Sequence, residues 1–355
     1  MSRSRIRQGI DYSFVLCSVS EDSHRRILGA SIELNWCDRS QTGGGGSCMN
    51  QHWAVKDDVQ RALDGGRPVI AFESTVLTHG LPYPESARLA LRVEEIAHEE
   101  GCVPATIGII DGVVHVGMTP GEIDRLASDE RARKSSSFDL AFVVASGGSA
   151  GTTVSGTLAI AERAGIRVFA TGGIGGVHRG AADSFDISHD LQSLARSRIV
   201  TVCAGAKAIL DLPKTLEYLE TAGVCVIGYQ TDAFPAFYSR DSGLTLDYSA
   251  ESADVIARAF VAREQLGLPG GFLVAAPIPA EYEIPADQIG ASIDRAICWA
   301  SDRGVRGKDV TPFLLASMAQ ITAGRSVEAN LALLENNARV GASIARSICA
   351  AIVQP

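Results

Sequence analysis

The sequence lacks the patterns that define several large classes of protein. Its eight cysteines form no CxxC pair and no Cys/His spacing suited to zinc, which favours a reduced, cytoplasmic setting. No apolar run reaches the roughly 18 residues that a membrane-spanning helix needs. The net charge of −9 provides no basic field for a nucleic-acid polymer. A nucleotide substrate stays open, because a few cations and backbone amides can hold one phosphate.

Residues 1–50 differ in character from the rest of the chain. They show no sustained period and contain the flexible run GGGGS at 43–47. The start of the chain is basic but has no apolar core of a secretory signal, so a transit peptide is the alternative to an untargeted cytoplasmic protein. We expect residues 1–50 to be a poorly ordered extension and residues 51–355 to form one folded domain.

Short apolar strands alternate with helices from about residue 55 onward. Apolar runs at 68–72, 140–145, 167–170 and 199–203 each predict a strand. Asp111-Gly112 between two further apolar runs predicts a β-hairpin with a type I′ turn. The pattern predicts an α/β fold: a single-domain α/β/α sandwich with a mostly parallel central sheet, a β-hairpin and C-terminal helices.

Polar or glycine-rich positions fall at the ends of several predicted strands. They are Glu73, Gly147-Gly148, Thr171-Gly-Gly and Lys207. Because ligands of such folds bind at the carboxyl ends of the strands, we expect these positions to share one site.

Lys207 and Glu73 are the candidates for chemistry at that site. Lys207 follows the uncharged run 199–206, and partial desolvation there favours a neutral amine that can form a Schiff base with a carbonyl substrate. The alternative is a lysine that begins the next helix and points to solvent. Glu73 ends an apolar strand, a setting that raises the pKa of a carboxyl group and suits a general acid. The alternative is a capping glutamate.

The glycine-rich loop TGGIGGVHRG at 171–180 follows a predicted strand. It fails the G-x-G-x-x-G test of a dinucleotide-binding loop, because the third glycine position is His178. The sequence also has no G-x-x-x-x-G-K-[ST] phosphate loop. We therefore interpret the loop as one whose backbone approaches a ligand closely, with His178 and Arg179 as its polar groups.

Oxygen-bearing side chains alternate along the next segment. Asp186, Ser188 and Asp190 are of the type that binds Mg²⁺ or Mn²⁺. Alternatively, Ser188 caps a helix that runs toward Ala195, and a helix N-terminus also binds anions. Lys134, in the basic and hydroxyl-rich run 131–137, is a candidate phosphate contact or an ordinary surface lysine.

Four runs of the sequence are specific when taken together: FEST at 72–75, FATGGIGGVHRGA at 169–181, FDIS at 185–188 and VCAGAKAILDL at 202–212. With them the chain resembles the pseudouridine-5′-phosphate glycosidase family from about residue 52 to its C-terminus. The resemblance implies a catalytic domain over residues 51–355. It also implies reversible cleavage of the C–C glycosidic bond of pseudouridine 5′-phosphate to uracil and ribose 5-phosphate, through a lysine Schiff base, in pseudouridine catabolism.

The resemblance also implies roles for individual residues. It places the nucleophile on Lys207, the proton donor on Glu73 and the ligand of one Mn²⁺ per subunit on Asp186. The remaining implied positions are the substrate-binding residues Lys134, Val154, Ser188, His189 and Asp190, a further polar residue, Asn330, and an assisting group, His178. Members of the family suggest a homotrimer. The net charge and the lack of a long apolar run predict that the chain binds no nucleic-acid polymer and no membrane.

The chemistry explains why a lysine is needed. Paired carboxylates expel oxygen or nitrogen leaving groups, whereas a carbon leaving group resists that route. An amine can instead open the sugar and form an iminium at C1. Two alternatives stay open: a Schiff-base sugar-phosphate lyase or aldolase with another leaving group, and a non-catalytic sugar-phosphate-binding relative. The second is disfavoured because Glu73, Asp186 and Lys207 are all present.

Overall fold

Strands that are buried on both faces form the centre of the molecule. In a computed structural model that describes residues 51–305 and 310–353, the strands Val69–Phe72, Val200–Cys203 and Phe272–Ala275 are buried at every position. Strands of this kind belong to parallel sheets covered by helices. The prediction of a poorly ordered extension at residues 1–50 lies outside the described residues.

The described part of the chain contains eleven strands in one sheet. The strands are β1 Trp53–Val55, β2 Val69–Phe72, β3 Val103–Ile110, β4 Val113–Val116, β5 Arg133–Ser135, β6 Ala150–Thr152, β7 Val168–Ala170, β8 Val200–Cys203, β9 Cys225–Tyr229, β10 Tyr248–Ala250 and β11 Phe272–Ala275. The α-helices are α1 Asp57–Asp64, α2 Glu85–Glu99, α3 Pro120–Ser128, α4 Leu140–Ala145, α5 Val154–Ala164, α6 Ala181–Ser184, α7 His189–Arg196, α8 Leu212–Thr221, α9 Ala253–Gln265, α10 Ala286–Asp302, α11 Val310–Ile321 and α12 Arg325–Val353. A π-helical turn lies at Val76–Gly80 and a 3₁₀ turn at Ala280–Tyr282.

The sheet is mostly parallel, as the sequence predicts. Its main path runs β1-β4-β3-β2-β7-β8-β11-β9-β10, and β6 joins β5 to β3 beside that path. The antiparallel pairs are β3 with β4 and β3 with β6. Between β3 and β4, Asp111 and Gly112 have φ values of 49° and 74°, which a type I′ turn requires. The predicted β-hairpin is therefore confirmed.

Helices cover both faces of this sheet, because alternate residues of a strand point to opposite sides. In β2, Val69 and Ala71 pack into the cluster that includes α5 and α7, while Ile70 and Phe72 pack into the cluster that includes α2, α9 and α12. The predicted α/β/α layering is confirmed. No helix of the described residues has the length and apolar character needed to cross a bilayer.

The prediction of a strand at 140–145 was wrong, since this segment is the helix α4. The Asp139 carboxylate accepts hydrogen bonds from the Ser136 amide at 2.7 Å and the Ser135 hydroxyl at 2.8 Å. These bonds fold the chain into a turn at the point where a strand would have to begin. A short apolar run looks the same in a strand and in a helix, so its pattern did not reveal the difference.

The long helix α12 lies against the middle of the sheet, where it contacts β2, β7 and β8. Gly341 permits this close approach, because a Cβ atom there would lie 2.6 Å from Cδ1 of Ile70. One turn earlier, the fully buried Asn337 reaches the backbone after β7. The C-terminal helix thus contacts the strand ends that carry the predicted site.

Candidate active site

A cavity of about 340 Å³ lies at the carboxyl ends of β2, β7 and β8. The residues to which the sequence assigns a catalytic, substrate-binding or metal-binding role all line it: Glu73, Lys134, Val154, His178, Asp186, Ser188, His189, Asp190, Lys207 and Asn330. One part of the shared-site expectation was wrong. Gly147-Gly148 follows the helix α4 instead of a strand, and the Gly148 carbonyl accepts a 2.8 Å hydrogen bond from Gly112 in the hairpin turn.

Glu73 follows β2 directly and presents its carboxyl group to the cavity. The hydroxyl of Thr171, which follows β7, donates a hydrogen bond to its Oε1 atom. Burial raises the pKa of Glu73, and the nearby Lys207 ammonium and the Thr171 hydrogen bond oppose that rise. A carboxyl group with a raised pKa retains a proton that it can donate.

Lys207 lies across the same edge, at the end of the segment that follows β8. Its Nζ atom donates a 2.7 Å hydrogen bond to the carbonyl oxygen of Gly173. Helix α8 begins only at Leu212, so Lys207 is not the first residue of a helix and it lines the cavity. Gly205 makes this path possible, because it has a φ of 84° and a Cβ atom there would lie 2.1 Å from the Pro235 carbonyl oxygen.

His178 and Asp186 face each other at one side of the cavity. Nδ1 of His178 lies 3.9 Å from Oδ2 of Asp186, and the His178 amide donates to the Asp186 carbonyl at 3.0 Å. Burial lowers the pKa of His178 although the Asp186 carboxylate opposes this, so the imidazole is disposed to be neutral. Arg179, the other polar group of the loop, instead pairs with Asp294 at 2.9 Å.

Ser188 and Asp190 shape the cavity through backbone contacts. Ser188 caps α7 by accepting a hydrogen bond from the Asp190 amide at 3.3 Å, as one of the two predictions for it states. The buried Asp190 carboxylate accepts hydrogen bonds from the Ser155 amide at 3.0 Å and the Gly175 amide at 2.9 Å. Asp190 thereby ties the glycine-rich loop to the first turn of α5.

The N-terminal ends of α5 and α7 both border the cavity. Thr153, the N-cap of α5, and Val154, its first residue, line the cavity beside Lys134 and Ser136. The helix dipole makes an N-terminus favourable for an anion, and a lysine adds a full positive charge. This end of the cavity is suited to a phosphate group.

The donors for a metal ion are sparse. Asp186 offers a carboxylate that is 40% exposed, beside His178. Across residues 51–305 and 310–353, no cluster of three or more His, Cys, Asp or Glu side chains could hold a metal. This donor set does not form an all-protein cage. The residues present would fit only a hard divalent cation that keeps several waters, with Asp186 as its protein ligand.

Comparison with known proteins identifies the family. The model of the "Indigoidine synthase A like protein" family matches residues 58–347. The pseudouridine-5′-phosphate glycosidase of Caldanaerobacter subterraneus subsp. tengcongensis is 51% identical over 297 residues, which cover 84% of this chain and 97% of that protein. The Escherichia coli enzyme of the same name is 51% identical over 293 residues, 82% of this chain and 94% of that protein. The chain belongs to the pseudouridine-5′-phosphate glycosidase family.

Two solved structures share the fold of this chain. The prealnumycin C-glycosynthase AlnA, in complex with ribulose 5-phosphate, has a TM-score of 0.80 and 38% identity, over 86% of this chain and all of that one. An indigoidine synthase A-like protein from Thermotoga maritima has a TM-score of 0.76 and 37% identity, over 84% of this chain and 97% of that one. The resemblance drawn from the sequence motifs is confirmed.

Several residues at or behind the cavity were missed by the sequence analysis. The sequence places Thr171 among the strand ends of the shared site but assigns it no role, although a hydroxyl group beside two glycines is a usable signal. His79 lines the cavity and makes a 2.7 Å contact between its Nδ1 and the Thr78 hydroxyl. Phe237 packs against Gly173, and Asn337 holds the loop from behind. No local pattern marks the last two, because their roles depend on contacts distant in sequence.

Proposed function

We propose that this chain catalyses the reversible cleavage of the C–C glycosidic bond of pseudouridine 5′-phosphate, which gives uracil and ribose 5-phosphate. The observation that carries the proposal is that Lys207 and Glu73 line one cavity whose other end is suited to phosphate. Support also comes from relatives named for this substrate at 51% identity, and from a neighbour named as a C-glycosynthase that binds a sugar phosphate.

Lys207 is the nucleophile in this proposal. Its neutral amine bonds to C1 of the sugar while the bond between C1 and the ring oxygen breaks, and the ring oxygen takes a proton. The lone pair of the bound nitrogen then expels C5 of uracil, which also takes a proton, and an iminium between Lys207 and C1 remains. Hydrolysis of the iminium consumes one water, releases ribose 5-phosphate and leaves an extra proton on Lys207, which returns to Glu73 and restores the starting state.

Glu73 carries the protons. It donates one to the ring oxygen, recovers one from the alkylated amine and passes it to C5 of the departing uracil. The raised pKa of Glu73 suits both directions of transfer. His178, whose pKa burial lowers, assists as a neutral hydrogen-bonding group beside Asp186.

The phosphate group binds where the two helix N-termini border the cavity. Lys134, Val154 and Ser188 lie at this end, with His189 and Asp190 in the first turn of α7. Asn330, on α12, borders the cavity from the opposite layer.

Asp186 is the protein ligand of one Mn²⁺ per subunit in this proposal. When bound, the ion polarises and orients the sugar phosphate. A variant Asp186→Asn then needs more Mn²⁺ to reach half of its maximal rate, whereas magnesium- and manganese-independent turnover of wild type would contradict a role for the ion.

We extend the proposal to the assembly and its setting. Phe138 and Phe185 are large apolar side chains near the cavity that are 73% and 83% exposed, which favours a contact between subunits of a homotrimer. The free cysteines include the exposed Cys298, which favours the reducing cytoplasm.

The direct test is synthesis in the reverse direction. The protein is incubated with uracil, ribose 5-phosphate and Mn²⁺, and the C-nucleotide is followed by chromatography and mass spectrometry. Consumption of ribose 5-phosphate that depends on uracil is the expected result. Turnover of sugar phosphates without a need for uracil would favour the lyase or aldolase, and binding without any turnover would favour the non-catalytic relative.

A second test locates the covalent bond. Ribose 5-phosphate is trapped on the protein with borohydride, and the labelled peptide is identified by mass spectrometry. We expect the label on Lys207 and no label on Lys207→Ala. Lys214 is the matched control, because it lies seven residues further on and is exposed in an ion pair with Asp211 at 2.6 Å. A label on Lys214 or any other lysine would reject the assignment.

A further inference from the structure

We infer that Thr171 and Asn337 are positioning residues, which hold the acid Glu73 and the nucleophile Lys207 in a fixed relation through one backbone segment, residues 171–173. The inference rests on the function proposed above and adds to it a mechanism of alignment. It concerns two residues that lie beside or behind the reacting groups.

The segment 171–173 touches both reacting groups within three consecutive residues. The hydroxyl of Thr171 donates a hydrogen bond to Glu73, and the carbonyl oxygen of Gly173 accepts the 2.7 Å hydrogen bond from Nζ of Lys207. Glu73 and Lys207 come from different strand ends and are 134 residues apart in the chain. Any displacement of this short segment therefore changes the position of both groups.

The segment is fastened from two sides. On the sheet side, the Thr171 amide donates to the Val202 carbonyl at 3.0 Å, and the Ala204 amide donates to the Gly172 carbonyl at 2.9 Å. On the helix side, Nδ2 of Asn337 donates to the Thr171 carbonyl at 2.8 Å. The same amide group lies 3.4 Å from the Gly172 carbonyl. Asn337 thus bonds to the backbone that carries the Thr171 side chain.

Asn337 is not what packing alone would select. It is 0% exposed between α12 and the sheet, where an apolar side chain of similar size would fit without loss of hydrogen bonds to water. Its Oδ1 atom has no hydrogen-bond partner among the described residues, which adds a desolvation cost. Burial of the Asn337 amide is therefore unfavourable for stability. We explain the asparagine by its hydrogen bonds to the carbonyls of residues 171 and 172, and not by packing.

Thr171 also influences the protonation of Glu73. A hydroxyl that donates to a carboxylate favours the ionised form, so loss of this bond shifts the proton equilibrium of Glu73 toward the protonated form. The other charged groups that act on Glu73 are Lys207, Lys134 and Asp190, and they come from three different segments. Replacing Thr171 removes none of these charges.

The decisive experiment compares Thr171→Val with Thr171→Ser across pH. Cleavage needs protonated Glu73, so kcat/KM falls as pH rises through the pKa of that carboxyl. We expect the fall to move to higher pH in Thr171→Val, together with a lower maximum, and to return to the wild-type position in Thr171→Ser. A loss of activity that is equal at every pH in Thr171→Val would overturn the inference.

Thr106 is the matched control for this pair. Its hydroxyl donates a 2.5 Å hydrogen bond to the buried Glu94, away from the cavity. Thr106→Val removes the same bond in the same kind of setting, and we expect it to leave the pH profile unchanged. A shift of the profile in both valine variants would show a general effect of destabilisation and would also overturn the inference.

The role of Asn337 is tested by Asn337→Leu and by its combination with Thr171→Val. We expect kcat to fall roughly 10- to 100-fold with KM nearly unchanged, because misalignment acts on the reacting atoms. The losses should not multiply in the double variant, since both changes release the same segment. Independent, multiplying losses would reject the link. If Asn337→Leu does not fold, the Thr171 series decides alone.

Failure of the inference is distinguishable from failure of the proposed function. A wild-type protein without uracil-dependent turnover would remove the proposed function. A wild-type protein that turns over, with an unshifted pH profile in Thr171→Val, would remove only the inference.

Discussion

Glu73 and Glu94 are each paired with a threonine hydroxyl, but they lie at different places relative to the edge of the sheet. Glu73 accepts a hydrogen bond from Thr171, and Glu94 accepts one from Thr106. Burial raises the pKa of both carboxyl groups, and the threonine opposes that rise in both. A carboxyl–threonine pair with a raised pKa is therefore not enough to define a site.

The difference is one of position relative to the strand ends. Thr106 lies within β3 and pairs in register with Phe72, the last residue of β2. Glu73 follows Phe72 and faces the cavity with Lys207. Glu94 belongs to α2 and points its side chain toward β3, with Lys56 and Asp58 as its charged neighbours. At the edge of the sheet, the carboxyl group of Glu73 lies beside the amine of Lys207 and a cavity that can hold a ligand. Glu94 has charged neighbours and a threonine partner, but it does not line that cavity.

The largest effect is expected for Lys207, the amine that lines the cavity with Glu73. Lys207→Ala should reduce turnover by about 10⁴-fold or more, because the covalent route is lost. Turnover is measured as release of uracil from pseudouridine 5′-phosphate. Lys214→Ala serves as the control and should keep wild-type activity, and an active Lys207→Ala protein would show that no lysine adduct is needed.

The next effect compares the two carboxyl groups directly. Glu73→Gln should lower kcat by roughly 10²- to 10⁴-fold, because glutamine keeps the shape and cannot transfer a proton. Glu94→Gln should leave kcat within about twofold of wild type, since Glu94 does not line the cavity. Steady-state kinetics of both variants at one pH are sufficient. Equal losses in the two variants would remove the distinction between the regions.

A smaller effect is expected at the phosphate end of the cavity. Lys134→Ala should raise KM about 10-fold with little change in kcat, because a positive charge near the phosphate is lost and the reacting groups stay in place. The difference in KM between Lys134→Ala and wild type should become smaller at high salt, because screening weakens the lysine–phosphate interaction in wild type. A fall in kcat at unchanged KM would instead place Lys134 near the chemistry.

The smallest effect concerns stability and the Glu94 region alone. Because burial raises the pKa of Glu94, wild type loses stability as pH rises through that pKa, by about 1.4 kcal/mol for each unit of difference from the unfolded chain. Glu94→Gln has no carboxyl group at this position, so its free energy of unfolding should rise relative to that of wild type from acidic to neutral pH. Urea unfolding at several pH values measures this, and a constant difference would contradict the raised pKa.

Much of the site was predictable because it follows a rule of parallel sheets. The residues after β2 and β8 include Glu73 and Lys207, and the carboxyl ends of neighbouring parallel strands meet at one edge. The same rule failed at Gly147-Gly148, where an apolar run was a helix held by the Asp139 turn. The error was to interpret residues 140–145 as a strand. A run of six apolar residues has no periodicity that distinguishes a strand from a helix.

The sequence by itself determined the fold class, the family and the principal candidate residues of the cavity, because these depend on local periodicity and on contiguous motifs. Only the tertiary structure decided how that set is arranged. It showed that one short segment links Glu73 to Lys207, that Asn337 holds this segment from α12, and that Asp190 is engaged with backbone amides. The physical reason is that such hydrogen bonds join residues far apart in the chain, whose distances follow from packing.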